Sequence, residues 1–403
     1  MTEQSTTEDL QLPLTRSCPF DPPEQYARLR AERPVAKVTT PVGGTAYVIT
    51  RHADVRRLLA DSRLSNRRDA PGFPLFAPLP ASQARRFSPS LVGMDPPDHT
   101  TVRRWVVNEF TVKRMQALRP RIQQIVDECV DGMLDGPRPV DLVEALSLPV
   151  PSLVICELLG VPYEDHEYFQ ERTAKLVNFN TPVEERREGL NEVWDYLDGL
   201  VRRAEDDPKD DLIGRLIVKN RAAGVYDHDK ITDLARILLV AGHETTANMI
   251  SLGVLALLEN PGQLEALRRE PALVSDAVEE LLRFFSIADG VTARAVLEDL
   301  EVDGVTIRAG EGVYLSGAAA NHDPEVFAEP GSLDVRRGAK HHVAFGYGIH
   351  QCLGQNLARM ELEIVYRTLF DRIPGLTLAT AYADVKFKAD AAIHGLYELP
   401  VTW

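Results

Sequence analysis

A glycine-rich loop ending in one cysteine constrains this 403-residue chain more than any other feature of its sequence. The loop spans residues 341–354, and apolar residues at helical spacing over 353–369 predict that a helix follows it. Cys352 therefore lies at a helix N-terminus, where unpaired N–H groups and the positive dipole end favour its thiolate. The glycines let the backbone bend tightly and approach a flat group. Such a thiolate, with Phe345 nearby, suits the axial ligand of a haem iron.

The spacing Phe-x-x-Gly-x-x-x-Cys-x-Gly fixes four residue types together at Phe345, Gly348, Cys352 and Gly354, so chance matches are rare. For Cys352 alone, the alternative is an ordinary core cysteine. The loop resembles that of the cytochrome P-450 monooxygenases. From residue 16 onwards the chain is similar to their soluble actinobacterial branch, which hydroxylates macrolides, steroids, vitamin D-like secosteroids and xenobiotics. The resemblance implies that Cys352 ligates the iron of haem b beside Phe345.

The resemblance also implies a mainly α-helical fold with small β-sheets, the cytochrome P-450 fold, with the haem between the long central helix and the helix after the cysteine loop. It implies a single catalytic domain at 16–403, and residues 1–15 read as a disordered tail. A net charge of −15 argues against nucleic acid as a principal partner. Four cysteines without a CxxC pair fit a reducing cytoplasm, and no apolar run is long enough to span a membrane. We expect a cytoplasmic monomer.

Local patterns predict the order of elements along the chain. A proline-rich but apolar stretch at 64–93 is typical of a functional wall or lid, with a plain surface loop as the alternative. A β-rich run follows residue 291, including a strand at 313–316. Apolar periodicity and turn signals predict helices at 22–32, 53–60, 113–133, 142–160, 164–178, 184–206, 209–223, 229–259 and 273–285, and a hairpin of strands at 35–38 and 46–49.

An Asp-Pro-Pro sequence at 95–97 predicts a helix start, and His99 and Arg103 then project from one face of that helix. Two such groups can bind an anion, although an arbitrary pair would more often be a solvated surface. The resemblance implies that they hold the haem propionates. It assigns the same role to Arg294 and His350, which come from two other parts of the chain, through charge-assisted hydrogen bonds.

Glu244 and Thr245 interrupt the centre of an otherwise apolar helix. Gly242 and threonines are poor choices for helix stability, so this polar break indicates function or a kink. A zinc-protease motif is excluded because Ala247 occupies the position of its second histidine. Buried structural polar groups are the alternative. The resemblance implies that Thr245 orders a water chain and that Glu244 relays protons during oxygen activation.

Glu280 and Arg283 form an i,i+3 pair that stabilises an exposed helix by only ~0.2–0.5 kcal/mol. The resemblance implies a structural ion pair that ties this helix to the segment before the cysteine loop, where Arg336 lies. It also implies a substrate pocket of aliphatic residues, which favours a fairly large apolar ligand, although any core shows similar residues. The pocket residues are Leu91, Val92, Ile237, Val240, Ala241, Ile287, Val291 and Ile393.

The implied reaction inserts one oxygen atom of O₂ into a C–H bond, by hydroxylation or epoxidation, with two electrons from NAD(P)H. The chain has no dinucleotide fingerprint after a strand and no iron–sulfur cysteine cluster, so a partner must deliver the electrons. The resemblance implies a ferredoxin and its reductase. A basic set on the cysteine side would steer an acidic ferredoxin, unless these charges are merely scattered and solvated. The set is Arg104, Lys113, Arg336, Arg337 and Lys340.

Three other haem–thiolate functions compete with this hypothesis. A peroxide-driven peroxygenase and a nitric oxide reductase are enzymatic alternatives, and a non-catalytic haem sensor or carrier is the third. Relatives of the first two types lack the acid–threonine pair, which this chain keeps at Glu244 and Thr245. A sensor needs neither that pair nor a substrate pocket. The pair therefore favours a monooxygenase, while the sequence leaves the substrate open.

Overall fold

The computed structural model describes residues 10–14, 16, 18–75, 90–177, 181–388 and 391–403. Helices dominate this part of the chain, as predicted. The helices are α1 (Glu24–Glu32), α2 (His52–Leu59), α3 (Asp98–Val106), α4 (Val112–Asp135), α5 (Pro149–Leu159), α6 (His166–Val177), α7 (Val183–Asp206), α8 (Leu212–Ala222), α9 (His228–Glu259), α10 (Pro261–Arg269), α11 (Val274–Phe285), α12 (Gly317–Asn321) and α13 (Gln355–Arg372). The strands are β1 (Val35–Thr39), β2 (Thr45–Ile49), β3 (Leu64–Ser65), β4 (Val140–Asp141), β5 (Ala293–Val296), β6 (Leu300–Val302), β7 (Val305–Ile307), β8 (Gly312–Leu315), β9 (Thr377–Leu378) and β10 (Pro400–Thr402).

The strands form three small sheets beside the helices. A five-stranded sheet has the order β1-β2-β8-β5-β3, in which β2 and β8 run parallel and the other neighbours antiparallel. A three-stranded sheet has the order β4-β10-β9, and β6 pairs with β7. In the first sheet Arg294 of β5 lies opposite Val313 of β8, and Ser65 of β3 lies opposite Ala295. This register places Arg294 between two neighbouring strands.

The long helix α9 lies at the centre of the helical layer and packs against α5, α7, α11 and α13. Asp227 caps its start by accepting a hydrogen bond from the backbone N–H of Lys230 at 3.1 Å. Because helices cover α9 on several sides, its sequence is apolar nearly all round. Tyr366 of α13 donates to the backbone oxygen of Met249 at 2.5 Å, and a Cβ at Gly253 would lie 2.0 Å from the Tyr366 hydroxyl. Gly253 thus lets α13 approach the central helix.

Residues 10–14 were predicted to belong to a disordered tail, but they pack on the first sheet. Leu12 is buried, and its backbone N–H donates to Thr39 at 3.0 Å. Its side chain joins an apolar cluster that includes Tyr26 and Leu29. This part of the tail prediction was therefore wrong, because Leu12 has an apolar surface to cover. Residues 1–9 and 15 lie outside the described part of the chain, and the single-domain division stays a prediction.

The proline-rich stretch at 64–93 contains more regular structure than its composition predicted. Its first residues form β3, which extends the five-stranded sheet, and its last form a short 3₁₀ turn at Leu91–Gly93. Residues 76–89, which include much of the predicted wall or lid, lie outside the described part. Among the helices that are described, none is long and apolar enough to cross a membrane.

Candidate functional site

The cysteine loop runs directly into α13, as predicted, with the helix beginning at Gln355. The backbone N–H of Cys352 donates to the carbonyl of Phe345 at 2.8 Å, which closes the loop. Gly348 has a φ of 76°, and a Cβ there would lie 2.9 Å from the Ala60 Cα. Only glycine combines this left-handed backbone with such a close approach to α2. The loop is therefore held between α2 and α13.

The Cys352 side chain is exposed, yet burial within the protein raises its pKa. These two properties together mean that the thiol faces an enclosed space. Hydrogen bonds from the backbone N–H groups of Gly354 and Gln355, together with Arg103 and Arg359, lower the pKa but do not outweigh burial. The helix N-terminus therefore lowers the pKa of Cys352 as predicted, but this effect alone is too weak to offset burial. A metal cation at the sulfur would supply the missing stabilisation of the thiolate.

A buried carboxylate braces the loop from α11. Glu279 accepts hydrogen bonds from His342 at 3.1 Å and from Arg359 of α13 at 3.1 Å. Burial raises the pKa of Glu279, but the hydrogen bonds from His342 and Arg359 outweigh it and hold the pKa at about 2. The Arg359 guanidinium also lies 4.6 Å from the centre of the Phe345 ring. Two helices, α11 and α13, thus hold the loop near Phe345.

Glu280 and Arg283 form the predicted ion pair, and both side chains are 0% exposed. Two contacts of 2.7 and 2.8 Å join them. Arg337 adds a contact of 3.1 Å to Glu280, which ties α11 to the segment before the cysteine loop. The prediction named Arg336 in that segment, but this residue turns to the surface and pairs with Glu270 at 2.6 Å. The contact belongs to its neighbour, Arg337.

The four predicted propionate ligands come from three elements. His99 and Arg103 lie on α3, Arg294 on β5 and His350 in the cysteine loop. The His99 and His350 ring centres are 4.0 Å apart. Arg103 donates to the backbone oxygen of Gln351 at 2.6 Å, which places its guanidinium beside the cysteine. The structure therefore joins α3 to the cysteine loop through both predicted residues of the helix.

These donors have few acceptors among the described residues. Both ring nitrogens of His99 are buried without a hydrogen-bond partner there. Burial lowers the pKa of Arg294 to about 10, with Asp95 opposing it. Burial, aided by His99 and two arginines, lowers the pKa of His350 to about 3. So many desolvated donors without a bound carboxylate fit a group that brings its own anions, as haem does with its two propionates. The residues present therefore fit a haem.

The polar residues Glu244 and Thr245 are neighbours on α9, so their side chains face different sides of the helix. Glu244 is 2% exposed, and its carboxylate lies 3.4 Å from the ammonium of Lys388. Thr245 is partly exposed and donates to the backbone oxygen of Ala241 at 2.7 Å. Ala241 is itself exposed at the middle of a buried helix, so this side of α9 faces an interior space. Sequence reasoning missed Lys388, because no local pattern connects residues 144 positions apart.

The predicted pocket residues differ in exposure. Leu91, Ile287 and Ile393 are buried, whereas Val92 and Val291 are 54% and 58% exposed. A backbone hydrogen bond of 3.0 Å from His394 to Ile287 brings two of the contributing segments together. On α9, Ile237 and Val240 are half-buried and Ala241 is exposed on the interior side. A shared lining by all eight residues stays a prediction.

The predicted basic set divides into two groups. Arg336 and Arg337 are occupied by Glu270 and Glu280, so they serve the fold. Arg104, Lys113 and Lys340 are exposed, and none of them forms an ion pair with another described residue. Three of the five charges thus have no ion-pair partner in the described part of the chain and could face a partner protein.

Comparison with known proteins gives consistent results for family and fold. The family model named Cytochrome P450 matches residues 179–372. Pentalenic acid synthase of Streptomyces avermitilis is 48% identical over 406 residues, covering 100% of both chains. The 20-oxo-5-O-mycaminosyltylactone 23-monooxygenase of Streptomyces fradiae is 44% identical and covers 97% of this chain and 92% of its own. The crystal structure of cytochrome P450 MoxA (CYP105) from Nonomuraea recticatena is 55% identical, with a TM-score of 0.92 over 98% of this chain and 99% of that chain.

Proposed function

This chain belongs to the cytochrome P450 family and is a monooxygenase of that family, and from that premise we propose that it hydroxylates or epoxidises a fairly large, mainly apolar small molecule. One observation supports the site assignment most strongly. Desolvated donors with no described carboxylate partner lie beside a cysteine whose thiol faces an enclosed space. This combination matches the iron and the two propionates of one cofactor.

The family implies a haem–thiolate cofactor, and we propose haem b. Cys352 would ligate the iron, and Phe345 would border the porphyrin. His99, Arg103, Arg294 and His350 would hold the propionates. When bound, the haem supplies the activation of O₂ and the insertion of one oxygen atom into a C–H bond. The protein contributes to ligation by positioning the cysteine loop. Glu279 of α11 holds the loop at His342, and Gly348 lets the loop pack closely against the end of α2.

Thr245 and Glu244 have separate tasks in this proposal. The Thr245 hydroxyl lies on the interior side of α9 and can hold a water molecule within reach of the reacting oxygen. Glu244 is buried on the neighbouring side and can pass protons to that water from the edge of the protein.

The substrate class follows from the pocket residues and from the relatives. Aliphatic side chains at Val240, Ile287 and Ile393 favour burial of apolar surface. One relative is named for the production of pentalenic acid, and another for the oxidation of 20-oxo-5-O-mycaminosyltylactone. We propose a secondary metabolite of comparable size, or a xenobiotic that resembles one in shape and polarity.

The electron donor in this proposal is a ferredoxin, reduced by NAD(P)H through a ferredoxin reductase. The free positive charges of Arg104, Lys113 and Lys340 contrast with a net charge of −15 for the whole chain. Exposed positive charges attract an acidic partner, and the attraction weakens as salt is added. The cytoplasmic location and the monomeric state stay predictions.

Reconstitution of the purified holoprotein tests the proposal. Apolar terpenoids, macrolides and steroids are first screened for a substrate-induced shift of the haem spectrum. The best ligand is then incubated with NADPH, ferredoxin and reductase, and the products are identified. We expect oxygenated product only when all three are present, with one oxygen atom from labelled O₂. Turnover with peroxide alone would favour a peroxygenase, and a panel without any spectral shift or product would favour a sensor.

A further inference from the structure

The C-terminal hairpin carries a lysine that reaches the buried acid of the central helix. Lys388 lies on a hairpin held by backbone hydrogen bonds from Lys388 to Gly395 at 2.8 Å and from Tyr397 to Lys386 at 2.9 Å. Its ammonium lies 3.4 Å from the Glu244 carboxylate. The Lys388 side chain is 13% exposed, so it borders solvent on one side and the protein interior on the other.

The contact is built by more than two residues. Asn248, one turn after Glu244, donates to the Glu244 backbone oxygen at 2.7 Å and lies 3.4 Å from its carboxylate. A Cβ at Gly395 would lie 1.8 Å from the Asn248 side-chain oxygen. Gly395 therefore allows the hairpin to approach α9 closely enough for Lys388 to reach Glu244. The packing of the hairpin on α9 and the Lys388–Glu244 ion pair therefore depend on each other.

His243, the titratable neighbour of Glu244 on α9, is directed elsewhere. Its Nδ1 lies 3.1 Å from the Thr173 hydroxyl of α6. Among the described residues, Lys388 is thus the cation that forms an ion pair with the Glu244 carboxylate. A buried carboxylate needs such a partner, because burial of an unpaired charge is costly.

We propose that Lys388 is a positioning residue that holds the Glu244 carboxylate against the hairpin and controls its release toward Thr245. The inference rests on the proposed role of Glu244 and deepens it. At 3.4 Å the contact is longer than a typical charge-assisted hydrogen bond, so it holds the carboxylate less tightly than a short ion pair would. The same hairpin carries Ile393, a predicted pocket residue.

Lys388→Met removes the ammonium with little change in length, and Lys388→Arg restores a positive charge. Lys386→Met is the matched control, because Lys386 lies on the same hairpin and pairs at 2.8 Å with Glu398, away from α9. Each variant is studied as the holoprotein with ferredoxin, reductase and NADPH. The measurements are substrate affinity by spectral shift, the fraction of NADPH electrons recovered in product, and the solvent isotope effect of turnover.

We expect Lys388→Met to lower the recovered fraction on the order of tenfold and to raise the solvent isotope effect, with substrate affinity retained. Lys388→Arg should recover most of this loss, and Lys386→Met should match the wild type. The proposal would be overturned if Lys388→Met and the control Lys386→Met gave the same fraction of NADPH electrons in product. A fall in substrate affinity that accounts for the whole loss would also overturn it, since that indicates general damage to the pocket.

A second measurement does not depend on turnover. Denaturation midpoints are compared for Glu244→Gln, Lys388→Met and the double variant. Each single change leaves one buried polar partner behind. The double variant should therefore lose less stability than the sum of the losses in the two single variants. If the two single stability losses simply add in the double variant, Glu244 and Lys388 are not coupled. If the wild type itself shows no ferredoxin-supported turnover, the proposed function fails, and this cycle still decides whether the pair is coupled.

Discussion

Two buried glutamates in this protein each pair with a cation, but the two pairs are built differently. Glu280 and Arg283 are neighbours on α11, are completely buried and share two short contacts. Glu244 and Lys388 come from a helix and a distant hairpin, and one contact of 3.4 Å joins them. The first pair lies behind the cysteine loop, and the second lies beside the interior face of α9.

The difference lies in the number of partners. Glu280 also accepts hydrogen bonds from the backbone of Asp334 and from Arg337, and Arg283 donates to the backbone oxygens of Asn321 and Pro330. A network with every partner satisfied cannot rearrange without leaving buried charges unpaired, so it suits a scaffold. A pair with one long contact can open at lower cost, which suits a group that must move. A buried glutamate paired with a cation thus suits rigidity in one place and adjustment in the other.

The largest expected effect is at the saturated pair. Arg283→Ala leaves Glu280 buried and removes the donor to two backbone carbonyls, so we expect a loss of about 3–5 kcal/mol in the free energy of unfolding. Haem incorporation should fall with it, because Glu280 would lose the partner that positions its carboxylate for Arg337, next to the cysteine loop. Urea denaturation and haem content measure both effects.

Arg336→Ala is the matched control for that loss. Arg336 and Glu270 are joined by contacts as short as those of the buried pair, but their side chains are 48% and 53% exposed. Solvent screening limits such a pair to about 0–1 kcal/mol. If Arg283→Ala and Arg336→Ala lost the same free energy of unfolding, burial would not explain the difference between the two ion pairs.

Glu279 offers a smaller, pH-dependent test on the same helix. Its pKa in the folded protein is about 2, below the ordinary value of 4.5. Its pairing therefore stabilises the protein fully above the ordinary pKa and less as the pH falls toward 2. Glu279→Gln should cost roughly 3 kcal/mol near neutral pH, and the difference from wild type should narrow below about pH 4. A difference that is constant with pH would contradict ionisation of Glu279 in the folded state.

Thr245→Ala tests the adjustable side of the comparison. Loss of the hydroxyl should lower the fraction of electrons recovered in product on the order of tenfold, because water near the reacting oxygen is held less well. The fold should change little, since Thr245 donates only to Ala241 of its own helix. Thr245→Ser keeps the hydroxyl and should retain most of the activity. Unchanged product formation in the alanine variant would remove Thr245 from the proton route.

Local patterns predicted much of this structure. The spacing around Cys352 predicted the loop and the helix after it, and apolar periodicity predicted α9 almost to its ends. The same periodicity predicted a helix at 142–160, of which residues 143–147 form a π-helical turn before α5 begins. Helices and glycine-rich loops are specified by neighbouring residues, which is why the sequence is informative there.

Contacts between distant segments were the part that the sequence could not predict. Lys388 reaches Glu244 across 144 positions, and Arg337 rather than Arg336 reaches Glu280. Which of two adjacent arginines faces inward depends on the local turn, and no residue spacing encodes it. Leu12 is similar, because its burial depends on a sheet edge formed by residues far along the chain. These positions follow from packing, which a single sequence does not display.

The central claim is that the sulfur of Cys352 ligates the haem iron as a thiolate, and the carbon monoxide adduct of the reduced holoprotein tests it most directly. We predict the red-shifted absorption band of a thiolate-ligated haem, and its loss in Cys352→Ser. A native spectrum like that of a histidine-ligated globin would contradict the claim.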